Sequence, residues 1–274
     1  MGTRFELVLD GDDPHRLRAI GEAALHEIED WHDRLSRFDP GSFVSHINAR
    51  AAHEPVPLDD DLFDLLADCV ETQRVSEGAF DITVGTGSLL LDHDRRTVRF
   101  AGENTTIDPG GVGKGHALDC AAAILREHGV RCALLQGGTS TVVAIGAPPG
   151  EAAWRVALGG DPDAPVARLC DAALSISGAQ QRGGERVAHV IDPRAGAVRR
   201  AARRTAVVGA SARLTDIWST ALLVLGRRPS AVPADLATLS ETGDEGDMHL
   251  DVHDHADAVF TMHRAGAVAL GMTG

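Results

Sequence analysis

The sequence has no tyrosine, only 4% aromatic residues and no long apolar run. No stretch reaches the length that a membrane-spanning helix needs. The first residues alternate between polar and apolar types, as a strand does, and they lack the apolar run of a signal peptide. We therefore expect a cytoplasmic protein without a membrane partner.

Basic residues are outnumbered: 26 Lys and Arg face 40 Asp and Glu, which gives a formal net charge of −14. This balance excludes binding to nucleic acid or to an anionic membrane by long-range attraction. An anionic ligand would have to be held by local hydrogen-bond donors or by a metal ion. The four cysteines are scattered with no C-x-x-C pair, and we interpret them as reduced packing residues.

The chain of 274 residues is long enough for one large domain or two closely joined ones, and it shows no internal repeat or low-complexity linker. Apolar residues recur at helical spacing in four segments, and shorter apolar runs bounded by turn residues predict strands between them. The segment 180–186 is predicted to be a loop and 258–270 a final hairpin. The predicted long helices span residues 15–36, 59–76, 114–128 and 211–225.

A glycine-dense stretch at residues 105–119, here called the glycine loop, is the strongest candidate for a phosphate-binding site. Its glycines surround Lys114, so the backbone can approach an anion closely, and the helix that begins behind them offers unpaired N–H groups. The spacing differs from a P-loop, because Asp108 stands where the first glycine belongs. It also differs from a dinucleotide fingerprint, which needs glycine where His116 stands. A tight turn before a helix is the alternative interpretation.

Asp216 and Thr220 stand four residues apart in a strongly apolar predicted helix, so their oxygens project from one face. An ionised Asp in such a stretch is costly unless it is paired, hydrogen-bonded or coordinated to a cation. A hard cation with oxygen ligands, such as Mg²⁺, fits this pair. A helix cap or a buried hydrogen bond to a nearby turn is the alternative.

Histidine occurs in two places of interest. His189 precedes an Asp-Pro turn and is either a core or turn histidine or an acid/base group. Near the C-terminus an acidic run carries His249, His253 and His255. These histidines could bind a transition metal, but the run lacks a fixed ligand spacing and we interpret it as a solvated loop.

Separate segments, taken in chain order, resemble the ApbE-type flavin transferases, which are FAD:protein FMN transferases. The segments span nearly the whole chain, and the most specific are the glycine loop and a His-x-Ile-Asp-Pro-x-x-Gly motif. The matching segments are residues 1–3 (Met-Gly-Thr), 36–48, 78–81 (Gly-Ala-Phe-Asp), 107–119, 137–138 (Gly-Gly), 177–178 (Ser-Gly), 189–196 and 215–222.

The resemblance implies an α+β fold, with mixed sheets and helices in two interleaved subdomains, as one ApbE-like domain over residues 1–274. The implied reaction cleaves the FAD pyrophosphate, so that FMN passes to a Thr or Ser hydroxyl of an acceptor protein and AMP leaves. Two alternatives stay open. One is a Mg²⁺-dependent FAD pyrophosphatase that yields FMN and AMP, and the other is a flavin-binding protein that has lost catalysis.

The resemblance also implies roles for particular residues. Asp216 and Thr220 would coordinate Mg²⁺ together with a backbone carbonyl at Gly113. Lys114 would hold phosphate oxygens, and His189 would take the proton of the incoming hydroxyl. The implied catalytic residues are Lys114, His189 and Asp192, the last of which shapes the turn after His189.

The implied FAD site uses the glycine loop for the phosphates and other segments for the flavin or the adenosine. Its residues are Met1, Ser36, Phe38, Asp81, Asp108, Gly110, Gly111, Lys114, Asp119, Gly138, Ser177, Gly178 and His189.

Three departures from the family pattern concern the flavin and the setting of the protein. Many members place a tyrosine or another aromatic residue near the flavin, whereas this chain has no tyrosine, so stacking on FAD must come from elsewhere. The stretch after Gly85 is shorter than in the family and lacks its usual tryptophan. Met1, Gly2 and Thr3 open the sequence directly, so we expect the protein to lack the lipoprotein signal of many members.

Overall fold

The computed structural model describes residues 3–160, 162–178, 180–182, 185–187, 190–198, 204–242, 249–254 and 259–261. Five α-helices lie within these ranges, and a 3₁₀ turn at Pro109–Gly111 precedes the fourth. The helices are α1 (Pro14–Leu35), α2 (Phe43–Arg50), α3 (Asp60–Val75), α4 (Gly113–Glu127) and α5 (Ala212–Leu225).

The strands are short, and most of them belong to hairpins. They are β1 (Phe5–Leu9), β2 (Val56–Pro57), β3 (Leu89–Asp92), β4 (Thr97–Phe100), β5 (Ala133–Gly137), β6 (Thr141–Ile145), β7 (Trp154–Ala157), β8 (Val166–Leu169), β9 (Ala173–Gly178), β10 (Gln180–Arg182), β11 (Glu185–Val187), β12 (Ile191–Asp192), β13 (Ala197–Val198), β14 (Arg204–Gly209), β15 (Ala237–Thr242), β16 (His249–His253) and β17 (Phe260–Thr261).

A seven-stranded sheet in the order β1-β5-β6-β9-β14-β15-β16 forms the centre of the molecule. Smaller sheets have the orders β2-β4-β3 and β17-β8-β7, and β10-β11 and β12-β13 are two-stranded. The α+β prediction is confirmed. All strand pairs within the described ranges are antiparallel, so the sheets are not mixed. Neighbouring strands such as β5 and β6 follow one another through a short turn, which requires the antiparallel arrangement.

The central sheet is covered on both faces, which explains why all five residues of β6 are buried. Val143 and Ile145 point towards the helices and belong to the larger core, together with Trp31. Val142 and Ala144 point to the other face, where the β17-β8-β7 sheet packs. The helices therefore lie on one face of the central sheet, and the candidate site residues of α4 and α5 lie in this helical layer.

Local sequence explains where the helices begin. Asp13, Ser42, Asp59 and Ser211 are N-caps whose side chains accept hydrogen bonds from the first-turn N–H groups of α1, α2, α3 and α5. The four long helices predicted from apolar periodicity are confirmed to within two residues at each end. In the described part of the chain, no helix has both the length and the apolarity needed to cross a membrane.

Two local predictions were wrong. The predicted loop at 180–186 contains strands β10 and β11, which pair with each other, and the predicted solvated tail contains β16, which pairs with β15. In both cases strand pairing overrides local composition. Of the predicted hairpin at 258–270, only residues 259–261 lie within the described ranges, and His255 lies outside them.

Candidate functional site

The glycine loop leads into α4 without a side-chain cap. The N-cap position of α4 is Val112, whose side chain makes no hydrogen bond to the first turn, unlike the Asp and Ser caps of the other four helices. The N–H groups of this turn therefore need an acceptor from another element or from a ligand. The helix dipole favours a negative charge at the same place.

Asp216 of α5 supplies such an acceptor. The Gly115 N–H donates to Oδ2 of Asp216 at 3.2 Å, and Lys114 Nζ lies 3.4 Å from the same oxygen. The Asp216 side chain is only 4% exposed. Burial raises the pKa of Asp216, and the Lys114 charge and the Gly115 hydrogen bond oppose that shift without cancelling it. The carboxylate is therefore held in a position where ionisation is costly unless a cation is present.

A close approach of α4 and α5 makes this contact possible. A Cβ atom on Gly115 would lie 2.2 Å from the carbonyl oxygen of Ala212, so no other residue fits at this position without separating the helices. The glycine thus has a packing role between two helices as well as a role in the loop. Sequence reasoning counted it only as a loop residue.

Thr220 lies one turn beyond Asp216 in a cluster of hydroxyl groups. Its Oγ1 donates to the backbone carbonyl of Asp216 at 3.1 Å and lies 3.4 Å from Oγ of Ser177. Ser219 joins the cluster, with its Oγ 2.9 Å from Oγ of Ser177 and 3.0 Å from the Asp216 carbonyl. Ser219 was missed by sequence reasoning, although its position three residues after Asp216 on a helix was a signal for proximity.

The 3₁₀ turn of the glycine loop contacts the same cluster. A Cβ atom on Gly111 would lie 3.6 Å from Thr220 Oγ1 and 3.3 Å from the ring of Phe80. Gly113 is the buried first residue of α4. The loop, Lys114, Asp216 and Thr220 are thus brought together, although about a hundred residues separate them in the chain.

Asp108 closes the start of the 3₁₀ turn and contacts the segment after α1. Its Oδ1 accepts from the N–H of Gly110 at 3.0 Å, and its Oδ2 lies 3.1 Å from Nη1 of Arg37. Arg37 also lies over the ring of Phe38, 4.6 Å from the centroid. Phe38 is 83% exposed, and Ser36 is the C-cap of α1. This segment offers an accessible aromatic ring next to the glycine loop.

Asp81 organises the turns that follow the Gly-Ala-Phe-Asp segment. Its carboxylate accepts from the N–H and the hydroxyl of Thr83, each at 2.8 Å, and from the N–H of Gly85 at 3.0 Å. Gly85 has a φ of +80°, and a Cβ atom there would lie 2.6 Å from the carbonyl oxygen of Pro193. The Asp81 turns therefore pack directly against the turn after β12.

The turn after β12 is held by Asp192. This residue is buried and accepts two side-chain hydrogen bonds from Arg194, at 2.9 and 3.0 Å, and one from its backbone N–H at 3.1 Å. The Arg194 side chain also lies 3.6 Å from the position of a Cβ atom on Gly78. Asp192 shapes this turn through Arg194, which sequence reasoning did not single out.

Asp119 faces the N-terminus of α5. Its two oxygens accept hydrogen bonds from the Ser211 hydroxyl at 2.7 Å, from the Ala212 N–H at 2.8 Å and from the Arg213 N–H at 2.9 Å. The predicted role of Asp119 in the FAD site stays a prediction. What the geometry shows is a carboxylate that joins α4 to α5.

The remaining predicted residues lie at the ends of strands or outside the described ranges. Gly138 follows β5 with a φ of +62°, and a Cβ atom there would lie 2.3 Å from Thr3 Oγ1. Gly178 pairs with Arg204 at the end of β9. Met1 and His189 lie outside the described residues. Within the described ranges, no group of three or more His, Cys, Asp or Glu side chains is placed to hold a metal ion.

Comparison with known proteins agrees with the fold. The structure of the flavin transferase ApbE from Vibrio cholerae has a TM-score of 0.78 at 19% identity, covering 92% of this chain and 94% of that chain. The ApbE protein of Thermotoga maritima has a TM-score of 0.76 at 22% identity, covering 87% of this chain and 91% of that chain. At these identities the two structures establish a shared fold.

Sequence comparison gives the family. The FAD:protein FMN transferase of Rhodobacter capsulatus is 30% identical in an alignment of 236 positions that covers 72% of this chain and 44% of that relative. The chain therefore spans less than half the length of that relative. The model of the ApbE family matches residues 1–92 and 86–232. This chain belongs to the ApbE family.

Proposed function

We propose that this chain is an FAD:protein FMN transferase, which moves FMN from FAD to a Thr or Ser hydroxyl of an acceptor protein and releases AMP. The observation that carries the proposal is the meeting of Lys114 and Asp216 at the N-terminus of α4, where the N-cap residue Val112 makes no side-chain cap bond. The names of the Rhodobacter and Vibrio relatives support it.

The N-terminus of α4 would bind the FAD pyrophosphate. Its first-turn N–H groups and the positive end of the helix dipole favour an anion, and Lys114 adds a full charge. Gly111 lets the backbone of the preceding turn lie against Thr220 without a side chain between them. The overall charge of −14 would repel an anionic ligand, so these local donors have to supply the attraction.

The oxygen atoms around Asp216 suit a hard divalent cation such as Mg²⁺. Asp216 would supply a carboxylate oxygen, Thr220 its hydroxyl and Gly113 its backbone carbonyl. Burial raises the pKa of Asp216, and a bound cation would favour its charged carboxylate. Bound Mg²⁺ would neutralise charge on the pyrophosphate.

The reaction requires one proton acceptor and one leaving group. The acceptor hydroxyl oxygen forms a bond to the FMN phosphorus, the pyrophosphate P–O bond breaks, and AMP leaves with the bridging oxygen. His189 is proposed to take the hydroxyl proton. Asp192 and Arg194 would position the turn that follows His189, because the Asp192 carboxylate accepts from the Arg194 backbone N–H and, twice, from its guanidinium.

The rest of FAD would lie along the residues between Phe38 and the Asp81 turns. Phe38 offers an exposed ring next to Arg37 and Asp108, and stacking of the flavin on this ring would compensate for the lack of tyrosine. Ser36, Gly138, Ser177 and Gly178 would border the same ligand. These positions stay predictions until a ligand is bound.

The test is incubation of the protein with FAD, Mg²⁺ and a flavin-acceptor domain. We expect a fluorescent acceptor band that survives denaturation, together with stoichiometric AMP. AMP with free FMN and no labelled acceptor would identify a pyrophosphatase instead. Tight FAD binding with no AMP would identify a flavin-binding protein without catalysis.

A further inference from the structure

Asp119 belongs to α4, and its carboxylate bonds the backbone of α5. Among the predicted FAD residues in the described part of the chain, no other carboxylate contacts the backbone of a second helix. Asp119 accepts three hydrogen bonds, from the Ser211 hydroxyl and from the Ala212 and Arg213 N–H groups. Ser211 is itself the N-cap of α5, since its hydroxyl accepts from the Leu214 N–H. Asp119 therefore caps α5 from α4.

Two hydrogen-bonded contacts join α4 to α5, and they lie one helical turn apart. Asp119 bonds the Ala212 N–H, and four residues away on each helix the Gly115 N–H bonds Asp216. The chains run in opposite directions across these two contacts, because position 119 faces 212 and position 115 faces 216. A four-residue step is about one turn of helix, or roughly 6 Å.

The second contact has little freedom once the first is fixed. The helices touch between the two contacts, where the Gly115 Cα approaches the Ala212 carbonyl so closely that a Cβ would not fit. Hydrogen bonds to an ionised carboxylate are short, directional and stronger than those between neutral groups. The three bonds of Asp119 thus fix both the axial shift and the rotation of the first turn of α5, and Asp216 follows on the next turn.

From this geometry we infer that Asp119 is a positioning residue, which sets the place of Asp216 against Lys114 and Gly115 by capping α5 from α4. It acts through α5 and does not contact the ligand. The inference rests on the proposed function. The position of Asp216 matters only if its carboxylate binds a cation or keeps Lys114 and Gly115 in place for the phosphates of the ligand.

A matched control is available at the same helix terminus. Asp68 of α3 bonds the Arg213 side chain, with 2.7 Å between Oδ2 and Nη2. Asp68→Asn removes one negative charge near the start of α5 and weakens one tether, but it leaves the α5 backbone bonds of Asp119 intact. Asp119→Asn removes the same charge and turns one acceptor oxygen into an NH₂ group that faces a backbone donor.

The experiment measures Mn²⁺ affinity by titration of the apoprotein and FAD affinity by flavin fluorescence, with thermal unfolding of every variant. We expect Asp119→Asn to weaken Mn²⁺ binding about tenfold, the scale found when a partner of a metal ligand is removed. Asp68→Asn should change the Mn²⁺ affinity less than about twofold at a comparable melting temperature, because this substitution does not move Asp216. Equal effects of the two substitutions, or none from Asp119→Asn, overturn the inference.

Two further arms keep the outcome decisive. If the wild-type protein binds no Mn²⁺, the metal part of the proposed function fails, and the inference is decided by FAD affinity, which Asp119→Asn should weaken and Asp68→Asn should not. If Asp119→Asn does not fold, Ser211→Ala replaces it, since this change removes one of the three Asp119 bonds, together with the cap bond from the Leu214 N–H, without changing charge. Wild-type affinities in Ser211→Ala would then overturn the inference.

Discussion

The α4–α5 interface and the rim of the candidate site are built on different principles. The interface places Asp216, Ser219 and Thr215 in nearly full burial. Asp216 accepts a hydrogen bond from the Gly115 N–H of α4, whereas the Ser219 and Thr215 hydroxyls donate to backbone carbonyls within α5. The rim, formed by residues 36–39, 78–87 and 192–194, exposes Phe38 and relies on ion pairs such as that of Arg37 with Asp108, which solvent reaches.

The difference indicates where the site needs precision. Hydrogen bonds in a low-dielectric interior are strong and costly to break, whereas exposed ion pairs contribute about 0–1 kcal/mol and rearrange easily. Phosphate chemistry needs reacting groups held within fractions of an ångström. Binding of a flavin ring and of an acceptor protein can tolerate a surface that adjusts.

The largest expected effect comes from Asp216→Asn. We expect transfer and AMP release to fall by on the order of a hundredfold or more, because the substitution removes the carboxylate that would hold a cation. The free energy of unfolding should stay level or rise, because a buried, costly ionisation disappears. AMP release and thermal unfolding measure the two effects.

The stability part of this prediction has a defined pH dependence. Since the folded pKa of Asp216 is raised, the carboxyl stabilises the fold below its ordinary pKa and loses that contribution as pH rises through the folded pKa. The advantage of Asn over Asp should therefore grow from about pH 4 towards neutral pH. A variant less stable than the wild type at neutral pH would show that Asp216 supports the fold.

Gly115→Ala tests the close packing of the interface directly. A new Cβ atom would meet the Ala212 carbonyl oxygen, so the helices must separate. We expect a loss of about 1–3 kcal/mol in the free energy of unfolding, together with weaker FAD binding. Gly160→Ala is the control, because a Cβ atom there would meet nothing within 4 Å. Similar losses from both substitutions would contradict a specific role for the helix contact.

His116 of α4, whose ring lies against Trp31 of α1, gives the helical layer a predictable response to acid. Burial, together with the Arg213 and Arg34 charges, lowers the pKa of His116 from 6.5 to about 3. The unfolded chain therefore takes up a proton below about pH 6.5 that the folded protein does not, and stability is lost as pH falls towards 3. Between pH 7 and 5 we expect His116→Phe to lose about 2 kcal/mol less stability than the wild type.

Denaturant titrations at several pH values measure this difference. His26→Phe is the control, since the His26 side chain is 75% exposed. The same pH slope in the wild type and in His116→Phe would contradict a buried neutral histidine at this position.

The smallest expected effect concerns the rim. Arg37→Ala removes an exposed ion pair with Asp108 and a contact with the Phe38 ring, so the free energy of unfolding should change by less than about 0.5 kcal/mol. FAD affinity should change only severalfold, and AMP release at saturating FAD should stay the same. A loss of AMP release as large as that from Asp216→Asn would remove the distinction between interface and rim.

Much of the site was visible in the sequence because local chemistry marked it. Asp216 stood out as an ionisable group in an apolar helix, and Lys114 as a charge among glycines, and the structure places their side chains 3.4 Å apart. The family could be predicted because several motifs occurred in a fixed order. The strand β16 was missed because its polar, histidine-rich residues gain strand structure from pairing with β15, which composition does not show.

By itself the sequence determined the four long helices, the glycine loop and the identity of the charged groups, because these follow from apolar periodicity, backbone freedom and the cost of burying a charge. Only the tertiary structure decided that Gly115 serves as a helix contact and that Asp119 caps α5. Both roles depend on which helices meet and at what distance. Such contacts between residues far apart in the chain leave no periodic signal in either segment, so they are fixed only when the helical layer packs on the sheet.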